Sequence, residues 1–443
     1  MKITKKTISR ALDGHMKEIL SKGALAFLLK MTGAGLAFGF HITLARLLGA
    51  SGAGLYFLAL TIITLVSVVG RLGTDNSVTR YVAANASEQA WGAVKGVVRH
   101  ATRLTLATSI LLSLILAILA EPIANLLFSE PELAQPLRYM ALAVVPLAWM
   151  TILASALQGL RNVADSMMIQ SVLVPFSSFA LVFLLIPVFG VSGAVMAYVL
   201  GVTVALLYGI LRWRKSTALH RFTSPVFEVR DLMKSSYPLL GAMLIQQLTM
   251  ALPVLLLGVW ASSSEVGLFS AANRAAMLVG LVLIAANSII APKMATLYRQ
   301  GDMEGLGRVT RHSALLLTMM ALPVILIFLL APHWVMSLFG AEFTGAWLML
   351  VIMALGQLVN VMTGSVGFLL MMTGREKSYL RANFVALAIC VLLSVALIPW
   401  LGGIGASTAA AASLAIVNLL RVRFVWRDMG IMALPLIPRS LKK

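Results

Sequence analysis

The chain has 443 residues, enough for two or three soluble domains, yet 60% of them are hydrophobic and only 12% are charged, where soluble domains carry roughly 25% charged residues. Thirty-five lysines and arginines face 16 acidic residues and the mean hydropathy is +0.94, which excludes a soluble surface of balanced charge and leaves a polytopic membrane protein. The single cysteine, Cys390, excludes an internal disulfide and a cysteine-based metal site.

The chain opens on a polar stretch, residues 1–23, carrying Lys2, Lys5, Lys6, Arg10 and Lys17. The apolar run behind it is too long for a signal-peptide core and no small-residue cleavage site follows, so the stretch is expected to be retained, partly helical, against anionic lipid. Crossing the ~30 Å hydrocarbon core takes about 20 helical residues. Charged flanks mark off twelve such stretches: 24–48, 50–69, 104–120, 139–157, 167–189 and 191–211, then 237–260, 266–291, 313–331, 346–372, 382–400 and 405–420. The pattern predicts an all-α fold of about twelve transmembrane helices. Of the 35 basic residues, 31 lie in the two tails and the links from even to odd spans, so both termini are expected in the cytoplasm. The same distribution accounts for the net charge of +19 without a nucleic-acid partner.

The two halves repeat short patterns. Gly54, Leu55, Tyr56 and Ala59 match Gly267, Leu268, Phe269 and Ala272 at an offset of 213; Gly193 and Ala194 match Gly405 and Ala406 at 212; Gly159 with Arg161 resembles Gly374 with Arg375. Six spans separate the copies, an even number, so the halves share one orientation and an axis along the membrane normal relates them. The expected organisation is a basic segment 1–23, an N-lobe 24–211, a cytoplasmic connector 212–236, a C-lobe 237–420 and a basic tail 421–443. Two parallel lobes suit alternating access by rocking; a fixed bundle of duplicated ancestry is the alternative.

Ala45, Arg46, Leu47, Leu48 and Gly49, then Gly54, Leu55 and Tyr56, then Arg80, Tyr81, Val82 and Ala83 resemble the opening of polysaccharide transporter proteins, part of the multidrug, oligosaccharidyl-lipid and polysaccharide exporter superfamily. Residues 266–274, and Gly356 and Gln357 followed by 369–374, are similar to the corresponding places in that family's second half. The resemblance extends from about residue 20 to about residue 420. It implies twelve helices in two parallel six-helix lobes around a central cavity, and movement of an undecaprenyl-diphosphate-linked oligosaccharide to the outer leaflet for surface polysaccharide. It further implies a bacterial inner-membrane location, no cofactor and a monomeric transport unit. Membrane lipid and a polysaccharide polymerase or chain-length regulator are the implied partners. Many members carry an acidic residue in span 7, where this chain has Gln246 and Gln247.

A lone charge at mid-membrane costs about 2.5 to 3.5 kcal/mol, so it needs a cavity, a partner or an escape to the interface. Arg274 lies nine residues past Glu265, roughly 13 Å into its span. From there it could bind diphosphate bidentately or pair with a polar neighbour and fix packing. Arg46, near the outer end of span 1, could snorkel, gate or bind. Lys30 and His41 are eleven residues apart and share a helix face; for them, snorkelling and a packing hydrogen bond compete with a substrate contact. Gln246, Gln247, Asn273, Asn287, Gln357 and Asn360 could line the cavity and trade hydrogen bonds with sugar hydroxyls, or hold helices together at ~0.6 to 2 kcal/mol each.

No Asp or Glu falls inside a predicted span. Export of cationic drugs needs an intramembrane carboxylate, so the basic interior favours an anionic cargo over the multidrug branch. A membrane enzyme of polysaccharide assembly would need catalytic groups gathered on outer loops. Here Glu130 and Glu132 sit on a short link without a nearby His or Arg cluster, and read as a solvated edge.

Overall fold

The computed structural model describes residues 5–220 and 223–433. Lys2, residues 434–443 and the side chains of Lys5, Lys6, Arg10 and Lys17 lie outside the described residues, and with them the expected interfacial contact of the N-terminal stretch. Every regular element described is helical: α1 (Lys5–Gly70), α2 (Thr74–Ser87), α3 (Trp91–Pro122), α4 (Ala134–Ala141), α5 (Val144–Gly159), α6 (Val163–Met167), α7 (Val174–Ser216), α8 (Val229–Trp260), α9 (Ser263–Arg299), α10 (Met303–Leu330), α11 (Pro332–Ser337), α12 (Trp347–Met362), α13 (Val366–Met372) and α14 (Glu376–Met429), with short 3-10 and π turns between them. Helix is the form these apolar runs must take, because hydrocarbon offers backbone N–H and C=O groups no other partner.

Among the described residues, eight helices are long and apolar enough to cross a membrane, or nine if the pair Pro131–Ala141 and Val144–Gly159, bent by 42°, is one span. The protein is a multi-pass, all-α membrane protein. Three of the eight carry one residue off the helical path: Gly49 (φ 68°, ψ −176°) in α1, Gly190 (φ 57°, ψ −131°) in α7 and Gly402 (φ 51°, ψ −129°) in α14. Each lies between two stretches that the sequence reading takes as separate spans. Positive φ favours glycine because it has no Cβ. Gly190 and Gly402 are 212 residues apart and share one conformation, so the repeat extends to the backbone.

Three elements depart from the sequence reading. The polar link 71–103 contains a packed helix, α2, whose Val78 and Val82 meet Val94, Val97, Val98 and Leu232 in a cluster of their own. The stretch 346–372 divides into α12 and α13 at Gly364, where φ is 65° and a Cβ would press on Ala314. The last helix runs beyond residue 420 to Met429, which puts Arg421 on a helix rather than in a free tail.

The main buried cluster draws on both halves, and its largest fully buried members are Tyr56, Phe57, Phe269, Phe339 and Phe343. Large apolar side chains such as Ile118, Leu184 and Leu330 stay uncovered on outward faces, as suits helices surrounded by acyl chains. The halves meet most closely where Gly54 lies against the Ser263 carbonyl and Gly267 lies against the Ala50 carbonyl. Gly54→Ala or Gly267→Ala would drive a methyl into backbone and should lower stability by at least ~1–3 kcal/mol. Gly35→Ala, which meets nothing within 4 Å, should leave the melting temperature unchanged; melting of the purified protein in detergent checks both.

Candidate substrate-binding cavities

The first cavity, of about 290 Å³, is walled by α1, α5, the turn before α7, and α7, among them His41, Tyr56, Gln170, Ser178 and Tyr198. One side chain of the second half reaches its lining, Arg274 of α9. The local sequence explains how. Ala271, Ala272, Ala275 and Ala276 are at most 1% exposed, and their small side chains let α9 pack closely while the arginine extends into the gap. Its guanidinium carbon stands 4.3 Å from the centre of the Phe57 ring, a cation–π contact worth ~0.5 to 2 kcal/mol. The Arg274 Nε is buried with no hydrogen-bond partner among the described residues, and no carboxylate pairs with this arginine there. A cation on a π face with an unpartnered N–H has the chemistry to donate to an anion.

The second cavity, of about 300 Å³, is lined by residues of α8, α9, α12 and α14, including Gln246, Asn273, Gln357, Tyr379, Asn383 and Arg421. A chain of hydrogen bonds runs along its wall. Asn360 Nδ2 donates to Gln357 Oε1 (3.0 Å), and Asn418 Nδ2 donates to Asn360 Oδ1 (3.0 Å). Arg421 donates to Asn418 Oδ1 (3.2 Å) and Asn383 Oδ1 (2.6 Å) and lies over the Tyr379 ring at 4.7 Å. Charge position alone assigns Arg421 to orientation; only Asn418 lies at a helical spacing from it, while Asn383 and Tyr379 reach it from the other side of the break at Gly402.

His41 and Arg274 thus share the first cavity, and Gln246, Asn273 and Gln357 share the second. Asn360 stands behind the second wall as part of the amide chain. Asn287 is buried and accepts from the Ser365 hydroxyl. Arg46 is exposed and donates to the Leu338 carbonyl at 2.7 Å, across the seam between the two halves. Lys30 is half-buried and Gln247 is half-buried, and neither is among the lining residues of the two cavities. Tyr56, Tyr198, Asn383 and Arg421 are wall residues that the polar pattern does not single out, because a tyrosine or a helix-end arginine has ordinary structural roles in a membrane helix.

The sequence model described as polysaccharide biosynthesis protein matches residues 19–298, well over half of the chain. The chain belongs to the polysaccharide biosynthesis protein family. A second model, MatE, matches residues 238–400. Among characterised relatives, the probable low-salt glycan biosynthesis flippase Agl15 of Haloferax volcanii is 23% identical over 415 residues, 90% of this chain and 82% of that protein. The succinoglycan biosynthesis transport protein ExoT of Rhizobium meliloti is 25% identical over 344 residues, 74% of this chain and 64% of that one. The lipid II flippase MurJ, in an inward closed conformation, shares the fold with a TM-score of 0.75 at 12% identity, covering 93% of this chain and 90% of that one. Family members of this fold thus place the two cavities in a polytopic scaffold. Within it, Asn418→Leu removes the link between Asn360 and Arg421 and should cost ~1–3 kcal/mol for the orphaned polar groups. Thermal melting in nanodiscs should register that loss, whereas Gln246→Leu, outside the chain, should melt like the parent.

Proposed function

We propose that the protein is a transporter, not an enzyme, that moves a lipid-linked oligosaccharide with an anionic diphosphate headgroup from the cytoplasmic to the outer leaflet for surface polysaccharide, by alternating access. The observation that carries this reading is Arg274, a second-half cation without a carboxylate partner among the described residues, extending into a cavity walled by the first half. Bidentate N–H donation to a diphosphate would supply what the site lacks, and it ties the anion to both halves at once. The amides and hydroxyls of both cavities suit sugar hydroxyls, while the polyprenyl tail would remain in lipid. Two relatives are named as a glycan flippase and a glycan transport protein, which supports the same cargo class.

In this reading the eight helices divide at Gly49, Gly190 and Gly402, and the bent pair counts once, giving twelve spans. They would form an N-lobe, 24–211, and a C-lobe, 237–420, joined by a cytoplasmic connector, 212–236, with both tails 1–23 and 421–443 cytoplasmic in a bacterial inner membrane. Membrane potential could assist an unneutralised headgroup by ~2.3 kcal/mol per charge at 100 mV; consumption of the product by a polymerase outside would draw the reaction forward. Lys30, Arg46, Gln247 and Asn287 would act in this scheme as approach, gate or packing residues rather than as wall contacts of either cavity.

The MatE match over residues 238–400 favours a second reading, export of drugs. The cavity linings weigh against it: they carry two arginines and, among the described residues, no carboxylate to hold a cation. Arg274→Ala should abolish surface glycan while the protein stays in the membrane, and Arg274→Lys should restore it only in part because an ammonium lacks the bidentate fork. A deletion strain should accumulate lipid-linked oligosaccharide on the cytoplasmic leaflet. Normal surface glycan in the Arg274→Ala strain would overturn the assignment of the site.

A further inference from the structure

On the outer side of the seam one contact is made twice. Ser263 N–H donates to Glu130 Oε1 at 2.8 Å, and Ala50 N–H donates to Glu342 Oε2 at 2.8 Å. Glu130 and Glu342 are 212 residues apart and Ala50 and Ser263 are 213 apart, so the two bonds are counterparts in the internal repeat. Each runs from the outer link of one half to the first turn of a helix in the other half. Ala50 follows the break at Gly49, and Ser263 opens α9. The unpaired N–H groups and positive end of a helix's first turn favour a carboxylate there. Between these bonds the Ser51 and Ser263 hydroxyls meet at 2.9 Å, and Gly54 and Gly267 bring the backbones together. Directly inward come Phe57 and Phe269, and then Arg274 over the Phe57 ring. Arg46 to Leu338 adds a third crossing that has no counterpart, since Val259 occupies the equivalent place.

We propose that Glu130 and Glu342 form a paired latch that holds the outer exit of the Arg274 cavity shut, and that both bonds must break for cargo to leave. The pairing follows from the geometry: two bonds on either side of a local two-fold axis resist the halves swinging apart in either sense, where one bond alone would act as a hinge. Breaking them exposes two carboxylates and two N–H groups that water can satisfy, so the latch is reversible. This inference rests on the alternating-access reading, and it assigns Glu130 a bond across the seam where the sequence suggests only a solvated edge.

The test uses the full chain with Cys390→Ser, which removes its single cysteine. A reporter, Ser270→Cys, is placed beneath the seam, where Ser270 is 3% exposed, and labelled in spheroplasts with a membrane-impermeant maleimide. Glu130→Ala with Glu342→Ala should raise the labelling rate at least about tenfold, a shift of population toward the outward-open form. Each single alanine should raise it less, and the double glutamine variant, which keeps an acceptor without the charge, should fall between the parent and the double alanine. In a Ser51→Cys, Ser263→Cys background the parent should form a disulfide across the seam on oxidation, and the double alanine should form it several-fold more slowly. Parental labelling and crosslinking rates in the double alanine variant would overturn the latch. Neither readout needs cargo: an opened seam without glycan transport in the parent strain would leave the latch standing and remove the proposed function instead.

Discussion

The approach of Gly54 to the Ser263 carbonyl, and of Gly267 to the Ala50 carbonyl, sets where the two halves of this chain can touch. No side chain fits between these backbones, so two helices pack there at minimum distance. In a membrane there is little hydrophobic drive to press helices together, and close packing with a few hydrogen bonds must do it. The glycines supply the first and the flanking serines and glutamates supply the second. Phe57 and Phe269 then fill the space on the inner side of the contact, and Phe339 and Phe343 pack from the link that carries Glu342, all fully buried.

Arg274 depends on that arrangement. Its helix starts at the seam, and the alanines around it hold that helix close enough for the guanidinium to cross into the other half's cavity. Its charge is met by an aromatic face rather than, among the described residues, by a carboxylate, and in the proposed function that leaves the cation to the headgroup. A carboxylate partner would bind the arginine permanently, and an aliphatic neighbour would leave it too costly to keep at this depth. In the second cavity Arg421 is held differently, by two asparagines and a tyrosine. Two of its nitrogens are tied to protein acceptors, while its Nε, like that of Arg274, is buried without a partner among the described residues.

Much of the fold was legible because hydrocarbon leaves few choices. Apolar runs of spanning length must be helical, and a repeated Gly-Leu-aromatic pattern marks matching helices in the two halves. The breaks at Gly49, Gly190 and Gly402 fall at boundaries between stretches read as separate spans, and glycine suits them because it tolerates positive φ. The helix α2 was not legible, because its polar face reads as a loop until Val78 and Val82 find a partner in Leu232, some 150 residues away. Arg421 and the amide chain behind it were hidden likewise: Asn360, Asn383 and Asn418 come from three separate stretches, and a count of charges cannot tell an orienting arginine from one turned inward.

By itself the sequence determined the solvent, the secondary structure, the duplication and the sign of the interior, since each depends on composition and on short-range period. It singled out Arg274 because a charge at that depth demands an explanation wherever it points. What surrounds the charge was decided by the tertiary structure: the Phe57 face, the cavity of the opposite half, and the absence of a carboxylate partner among the described residues. The same holds for Glu130 and Glu342, which are ordinary loop residues until the fold sets each against a helix start 133 or 292 residues away. Contacts between halves are set by how two surfaces meet, and that meeting depends on packing over the whole seam rather than on any local pattern.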